Sequence, residues 1–198
     1  MEQKFVLATH NSGKLKEMSS ILGKLGVQVV MPAELGITVD VEETGTTFVE
    51  NARLKAQAIC QQAGLPAIAD DSGLCVDALN GGPGVYSARY GGEELDDRGR
   101  YLLLLSSMRG AATRAAHFSC AIVCAFPNGD ELQAEGRVDG TIAFAPMGEG
   151  GFGYDPVFFY PEKAKTFGQL SEEEKSVVSH RGRALADFSE KLETYLKK

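Results

Sequence analysis

Two adjacent carboxylates, Asp70 and Asp71, follow the apolar run LPAIA and come directly before Ser72. We expect the strand to end at this pair, which would place the carboxylates at the edge where open α/β sheets bind ligands. Burying both acids without a positive partner would be costly. With Glu42 and Glu43 they could hold a hard divalent cation such as magnesium, while one acid takes a proton from an attacking water. The alternative is that an aspartate only caps a turn.

The segment THNSGK, Thr9–Lys14, has the residue types of a phosphate-binding loop. It joins the first expected strand to the first expected helix, where backbone N–H groups can bind an anion. It is not a P-loop, because the first glycine of that motif is missing and Leu15 stands where the magnesium-binding Ser or Thr should be. An ordinary capped helix with a solvated lysine is the alternative interpretation.

An aromatic pair and a basic cluster complete the candidate chemistry. Phe152 and Tyr154 lie in GGFGYD, where flanking glycines would leave an aromatic face open to a flat ligand. Base stacking on such a ring contributes about 1–3 kcal/mol, although a lone Phe is more often part of a core. Lys175, His180 and Arg181 cluster near the expected start of the last helix. They would act as charge clamps near a phosphate, or else form a solvated basic face.

Composition limits the kind of ligand. The chain has 198 residues, is 43% hydrophobic and carries a formal net charge of −7. These values predict a compact core and exclude a general electrostatic attraction to nucleic acid or to an anionic membrane. A polyanion would therefore bind in a local cationic pocket, and the combined residue types indicate a nucleoside triphosphate.

The cysteines and the N-terminus indicate a reducing compartment. No CxxC pair or zinc-ligand spacing occurs, so we expect buried free thiols at Cys60, Cys75, Cys120 and Cys124. The stretch FVLA is too short for the hydrophobic region of a signal peptide, and no apolar run is long enough to cross a bilayer. We therefore expect a cytoplasmic protein.

Hydrophobic periodicity predicts a mixed-sheet α/β fold. Strands are expected at residues 4–8, 27–30, 65–70, 115–126, 131–138 and 157–160. Helices are expected at residues 12–25, from a capping box at Thr47 and Glu50, over a buried LLLL segment at residues 97–108, and after a capping box at Ser171 and Glu174. The sequence PNGD at residues 127–130 predicts a hairpin turn.

Five ordered motifs carry a family resemblance. They are ATHNSGK, EETGTTFVENARLKA, LPAIADDSGLCVDALNGGPGVYSARY, GGFGYDPVF and EKSVVSHRGRAL. Over nearly its whole length the chain resembles the Ham1-like inosine triphosphate pyrophosphatases. This resemblance implies one domain over residues 1–198, with an elongated mixed sheet, flanking helices and two lobes around a central cleft. It further implies magnesium-dependent hydrolysis of dITP, ITP and XTP to monophosphate and pyrophosphate by a homodimer. Apart from the resemblance, an exposed apolar strand such as VFFY is a candidate dimer contact.

The resemblance also implies roles for individual residues. Asp71 would be the general base, and Glu42, Glu43 and Asp71 would be involved in binding the metal. His10 lies in the phosphate segment without a role of its own. The expected substrate-binding residues are Thr9, His10, Asn11, Ser12, Gly13, Lys14, Lys55, Ser72, Phe152, Gly153, Tyr154, Asp155, Lys175, His180 and Arg181.

The expected mechanism is attack of water on the α-phosphorus. Lys14, Lys55 and magnesium would stabilise the leaving pyrophosphate. Hydrogen-bond donors such as His180 and Arg181 would accept a 6-oxo purine and disfavour adenine. Three rival interpretations are a related pyrophosphatase with a different base preference, a nucleotide sensor without turnover, and a structural or interaction protein.

Overall fold

The structure is a computed structural model that describes residues 3–9, 12–38 and 40–197. Over these residues the strands are β1 (Gln3–Leu7), β2 (Val27–Val30), β3 (Ala67–Val76), β4 (Ala115–Ala125), β5 (Glu131–Ile142), β6 (Phe158–Tyr160) and β7 (Lys165–Thr166). The α-helices are α1 (Ser12–Leu22), α2 (Phe48–Ala63), α3 (Asp97–Ser107), α4 (Glu172–Val178) and α5 (His180–Leu196).

The strands form one mixed sheet in the order β2-β1-β3-β4-β5-β6-β7. β1 pairs in parallel with both β2 and β3, whereas β6 pairs antiparallel with both β5 and β7. The predicted α/β class, with a mixed sheet and flanking helices, is therefore confirmed. The hairpin turn predicted at residues 127–130 is also present, and in it the Gly129 amide donates to the Phe126 carbonyl over 3.0 Å.

The prediction that a strand ends at the acidic pair is wrong. β3 continues past Asp70 and Asp71 to Val76. Its parallel neighbour β1 ends at Leu7, which pairs with Ile68, whereas β4 lies on the other side of β3 in the sheet order. Pairing between distant segments sustains the strand, and a local apolar run does not reveal such pairing. The two carboxylates therefore project from the middle of a strand.

The chain divides into two compact units, and neither is a continuous piece of sequence. The first comprises the chain up to Asp71, Cys120–Gly136 and the chain from Ala184 onward. The second comprises Ser72–Ser119 and Arg137–Arg183. The boundary at Asp71 falls inside β3, so one strand supplies residues to both units.

The described residues of the first unit form two apolar clusters. One joins Phe5 and Leu7 of β1 to Leu185, Phe188 and Leu192 of α5, all of them almost fully buried. The other places the small residues of α2 against the first strands; its members include Val6, Ala52, Ala56, Ala67 and Ala69. Alanine at these α2 positions lets the helix approach the sheet closely. This close approach fixes the distance between the other α2 side chains and the sheet.

The second unit has one apolar cluster, built around the stacked rings of Phe118 and Phe167. Phe158 and Tyr160 of β6 are buried in this cluster, at 0% and 3% exposure. The segment VFFY is therefore a core strand, and its proposed use as an exposed dimer contact is wrong. The apolar side chains that predicted an exposed strand are instead covered within the second unit.

The LLLL segment forms α3 as predicted, but the helix is not buried. Leu104 is the buried residue of α3, whereas Leu102 and Leu103 are 43% and 36% exposed. Consecutive leucines on a helix point in different directions, so that one face of α3 meets the core and another meets solvent. No helix among the described residues has the length and apolar character needed to span a bilayer.

Candidate functional site

In the first unit, Lys55 connects the acidic residues singled out in the sequence. Its ammonium donates to Glu43 Oε1 over 2.7 Å and to the backbone carbonyl of Asp70 over 2.8 Å. Asp70 is 4% exposed, Asp71 is half-buried and Glu42 is exposed. Lys55 therefore places a positive charge beside Glu43 and against the backbone of the acidic strand segment.

Asn51, one helical turn before Lys55, was not identified as a site residue in the sequence. It is fully buried, its Nδ2 donates to Asp71 Oδ2 over 3.1 Å, and its Oδ1 accepts from the Gly45 amide over 2.8 Å. Residues four apart share a helical face, so Asn51 and Lys55 reach the same group of atoms. The sequence contained one indication, since Asn51 adjoins the apolar stripe of Phe48 and Ala52.

The loop before α2 is held closely against the helix. A Cβ at position 45 would lie 2.7 Å from both Asn51 Oδ1 and the Cβ of Glu50, so only glycine fits this approach. The Glu50 carboxylate accepts from the amides of Thr46 and Thr47 over 2.7 and 3.1 Å. Hydrogen bonds from Thr46, and then those from Thr47, lower the pKa of Glu50. The loop that carries the predicted metal ligands is therefore fixed at its helix end.

The three-carboxylate cluster expected from Glu42, Glu43 and Asp71 is not assembled in the part of the chain that the structure describes. No group of three or more His, Cys, Asp or Glu side chains there is placed to hold a metal. Instead, Glu43 pairs with Lys55 and Asp71 accepts from Asn51. Magnesium commonly uses only one or two carboxylates together with waters and substrate phosphates. The oxygen donors present fit that coordination chemistry.

The predicted phosphate segment lies at the junction of a strand and a helix, as its sequence indicated. β1 ends at Leu7 and α1 begins at Ser12. The Thr9 amide donates to the Leu7 carbonyl over 2.8 Å. His10 and Asn11 lie outside the described residues, as do the side chains of residues 12–14, so the roles predicted for them stay predictions.

In the second unit, the two aromatic residues of GGFGYD lie in different environments. Phe152 is 58% exposed, whereas Tyr154 is 5% exposed. The Tyr154 hydroxyl donates to the Ser87 carbonyl over 2.7 Å, and burial raises the pKa of this phenol. The prediction of an open aromatic face is therefore wrong for Tyr154, because its ring packs in the core. Of these two residues, only Phe152 presents its ring to solvent.

The buried Asp155 carboxylate links the GGFGYD loop to Lys175. This carboxylate is almost fully buried and accepts from the Lys175 ammonium and, over 2.9 Å, from the Phe152 amide. Burial raises the pKa of Asp155, and the positive charge of Lys175 opposes that rise. Gly151 has φ +72°, and a Cβ there would collide with the Asp155 carboxylate. A glycine at position 151 therefore permits the buried ion pair.

Two cations flank the exposed Phe152 ring. Lys175 Nζ lies 4.4 Å and the Arg181 guanidinium 5.9 Å from the ring centroid. Both distances fall within the range of cation–π attraction. A flat anionic ligand placed on Phe152 would meet both positive groups.

The remaining site residues of the second unit are set by the surrounding helices. Lys175 belongs to the last turn of α4, whereas His180 and Arg181 open α5. The His180 ring is buried and stacks on Phe118 at a centroid distance of 4.7 Å. The Gly153 amide donates over 2.8 Å to Asp97, at the start of α3. His180 thus packs on a core ring.

Ser72 lies directly after Asp71 in β3 and is half-buried. It is the first residue of the second unit, whereas Asp71 is the last β3 residue of the first. The strand backbone therefore fixes the spacing from the predicted base to the serine expected beside it.

Comparison with known proteins gives matches over almost the whole chain. The model of the Ham1 family matches residues 5–191. A dITP/XTP pyrophosphatase from Exiguobacterium is 46% identical over 194 residues, covering 98% of this chain and 99% of that protein. One from Haemophilus influenzae is 48% identical over 196 residues, covering 97% and 100%. The solved structure of a HAM1 protein from Coxiella burnetii, 43% identical, superposes with a TM-score of 0.91 over 98% of both chains.

Proposed function

Because the chain belongs to the Ham1 family, we propose that it hydrolyses dITP, ITP and XTP to the monophosphate and pyrophosphate. The observation that carries this proposal is its likeness, over 98% of its length, to a relative named dITP/XTP pyrophosphatase. The paired groups Asn51–Asp71 and Lys55–Glu43 give it a chemical basis. In this proposal the whole chain works as one Ham1-like domain.

The proposed reaction uses Asp71 as general base. The oxygen of a water attacks the α-phosphorus, the bond from that phosphorus to the bridging oxygen breaks, and pyrophosphate leaves. The water proton passes to the Asp71 carboxylate, which Asn51 orients by donating from Nδ2. The segment Thr9–Lys14, Lys55 and Ser72 bind the phosphate oxygens, since phosphoryl transfer depends chiefly on positioning and electrostatics.

Magnesium fits this proposal through oxygen ligands. Glu42, Glu43 and Asp71 are the residues that would hold it, with substrate phosphates completing the coordination. When bound, the ion would neutralise charge on the triphosphate. The pairing of Glu43 with Lys55 supplies a positive charge at the same carboxylate in its absence.

Recognition of the base falls to the second unit. Phe152 would stack on the purine, because it is the aromatic of its loop that is exposed. Lys175 and Arg181 would donate to the 6-oxo group, and an adenine amino group would leave those donors facing another donor. Tyr154, Asp155 and His180 are buried and would shape this surface from below.

The proposal extends to assembly and location. We propose a homodimer that acts in the cytoplasm, where nucleoside triphosphates are made and used. The family resemblance supports the dimer, and the proposed nucleoside triphosphate substrates support the location. The contact surface of the dimer would exclude VFFY, since Phe158 and Tyr160 are buried within the chain.

The test is identification of both products from parallel incubations. The purified chain is given magnesium and ITP, dITP, XTP, GTP or ATP, and the products are separated by anion exchange. Monophosphate with pyrophosphate from the first three, and little from GTP and ATP, would support the proposal. Diphosphate with phosphate would place the attack at the γ-phosphorus and overturn the mechanism. Binding without turnover would indicate a sensor.

A further inference from the structure

We propose that Asn51 is a positioning residue that orients the Asp71 carboxylate and holds the acidic loop to the same point of α2. This inference rests on the proposed function of Asp71 as the base. Asn51 is 0% exposed, in the second turn of a sixteen-residue helix. Burying an amide without partners costs free energy, and here both ends of the amide have partners.

The two hydrogen bonds of Asn51 point to two different parts of the proposed site. Nδ2 donates to Asp71 Oδ2 on β3, over 3.1 Å. Oδ1 accepts from the Gly45 amide over 2.8 Å, in the loop that follows Glu42 and Glu43. The planar amide of Asn51 thus fixes the Asp71 carboxylate relative to the loop. An amide is needed, because the carboxylate requires a donor and the backbone amide requires an acceptor.

The surrounding residues make this arrangement rigid. Gly45 approaches so closely that a Cβ would meet Asn51 Oδ1 at 2.7 Å. One turn further along α2, Lys55 binds Glu43 and the Asp70 carbonyl. The same face of α2 therefore contacts the loop backbone, the loop carboxylate and both acidic strand residues.

The test compares two substitutions of Asn51 by steady-state kinetics with dITP and magnesium. Asn51→Leu has a similar size and removes both hydrogen bonds. Asn51→Asp keeps an acceptor for the Gly45 amide but loses the donor to Asp71. We expect both variants to lose about 100-fold in kcat, the scale of a misplaced catalytic group. KM should change by less than about threefold, because the residues proposed to bind the purine lie on other elements.

A matched control separates positioning from general loss of stability. Ile59 is 3% exposed on the same helix and packs in the core. Ile59→Ala should lower the melting temperature through a cavity yet retain kcat within about twofold at a temperature where it is folded. A folded Asn51→Leu enzyme with the kcat of wild type would overturn the inference. So would an Asn51→Asp enzyme of unchanged kcat, which also serves if the leucine variant does not fold.

A second readout separates this inference from the proposed function. If the wild-type chain hydrolyses none of the nucleotides, the proposed function fails. The orientation of Asp71 is then judged from crystal structures of the wild type and of the Asn51→Asp variant. A displaced Asp71 carboxylate in the variant would support positioning by Asn51. An Asp71 side chain in its original place would overturn it.

Discussion

At the residue scale, Asp71 receives a hydrogen bond that an amide in its place could also accept. In Asp71→Asn the side-chain oxygen can take the Asn51 donor, while the basic carboxylate is lost. We expect kcat for dITP to fall by about 100-fold or more, the usual contribution of a general base. Calorimetric titration with dITP should still detect binding. Near wild-type turnover of this variant would exclude Asp71 as the base.

Phe152 and Phe144 form a matched pair for testing base stacking. Both are exposed residues of the second unit, at 58% and 85%, but the Phe144 ring lies beside Arg114, whereas the Phe152 ring lies beside Lys175. Loss of a stacking ring costs about 1–3 kcal/mol, so Phe152→Ala should raise KM for dITP by about tenfold or more with little change in melting temperature. Phe144→Ala should leave KM unchanged. Equal effects of the two variants would contradict a stacking role.

The buried pair of Asp155 and Lys175 predicts a pH-dependent stability. Removing one partner of a buried ion pair costs about 3–5 kcal/mol, so Lys175→Met should be strongly destabilised at pH 7. Burial raises the pKa of Asp155, and the variant lacks the charge that opposes this rise. In the folded variant the Asp155 carboxylate then takes up a proton at a pH where the same side chain in the unfolded chain, with a pKa of about 4, is still ionised.

The loss of unfolding free energy in Lys175→Met, relative to wild type, should therefore become smaller as the pH falls from 7 towards the range in which carboxyl groups ordinarily titrate. Urea unfolding at pH 7 and at lower pH measures this change. In the double variant Lys175→Met with Asp155→Asn, no carboxylate remains to be neutralised, and the deficit should be smaller and independent of pH. A pH-independent deficit in the single variant would show that the charge of Asp155 is not its cause.

Sequence could identify the reactive residue types but could not assign their burial. Asp71, Lys55 and Phe152 stand out by type and by motif. Nothing local distinguishes Phe152, which is exposed, from Tyr154 two positions later, which is buried. The Tyr154 ring packs in the core, and its hydroxyl donates to the Ser87 carbonyl, 67 positions away in sequence.

At the scale of elements, the capping box of α2 fixes where the acidic loop becomes helix. Thr47 Oγ1 accepts from the Glu50 amide over 3.2 Å, and the Glu50 carboxylate accepts from the Thr47 amide over 3.1 Å. Replacing such a cap by alanine costs about 1 kcal/mol. Thr47→Ala should lose about that much unfolding free energy in urea, whereas Thr47→Ser should retain most of it. An equal loss of unfolding free energy in both variants would mean that the Thr47 hydroxyl does not stabilise the helix.

The elements that sequence predicted well are those governed by neighbouring residues. The capping boxes at Thr47 and Ser171 and the turn at residues 127–130 each depend on a few adjacent positions, and all three are present. β3 and the exposed Leu102 depend on distant partners and were predicted wrongly. Local chemistry sets ends and turns, whereas long-range pairing decides how far a strand runs and which side of a helix is covered.

At the scale of the whole molecule, the proposed homodimer is directly measurable. Sedimentation equilibrium at micromolar concentration should give twice the mass of the chain. Phe159→Ala in the strand VFFY should leave that mass unchanged, because the neighbouring Phe158 and Tyr160 are buried within the chain and the strand is not a subunit contact in this proposal. A single-chain mass for the wild type would refute the dimer while leaving the proposed chemistry untouched.

The apolar core between β1 and α5 forms late in protein synthesis, because its two sides lie far apart in sequence. Phe5 and Leu7 leave the ribosome long before their partners Leu185, Phe188 and Leu192, because almost the whole described chain separates them. Protein synthesis proceeds at about 5–20 residues per second, so the first strand waits many seconds for the helix that covers it. A chain truncated by a premature stop before α5 would keep that strand without its cover, open to association with other unfinished chains.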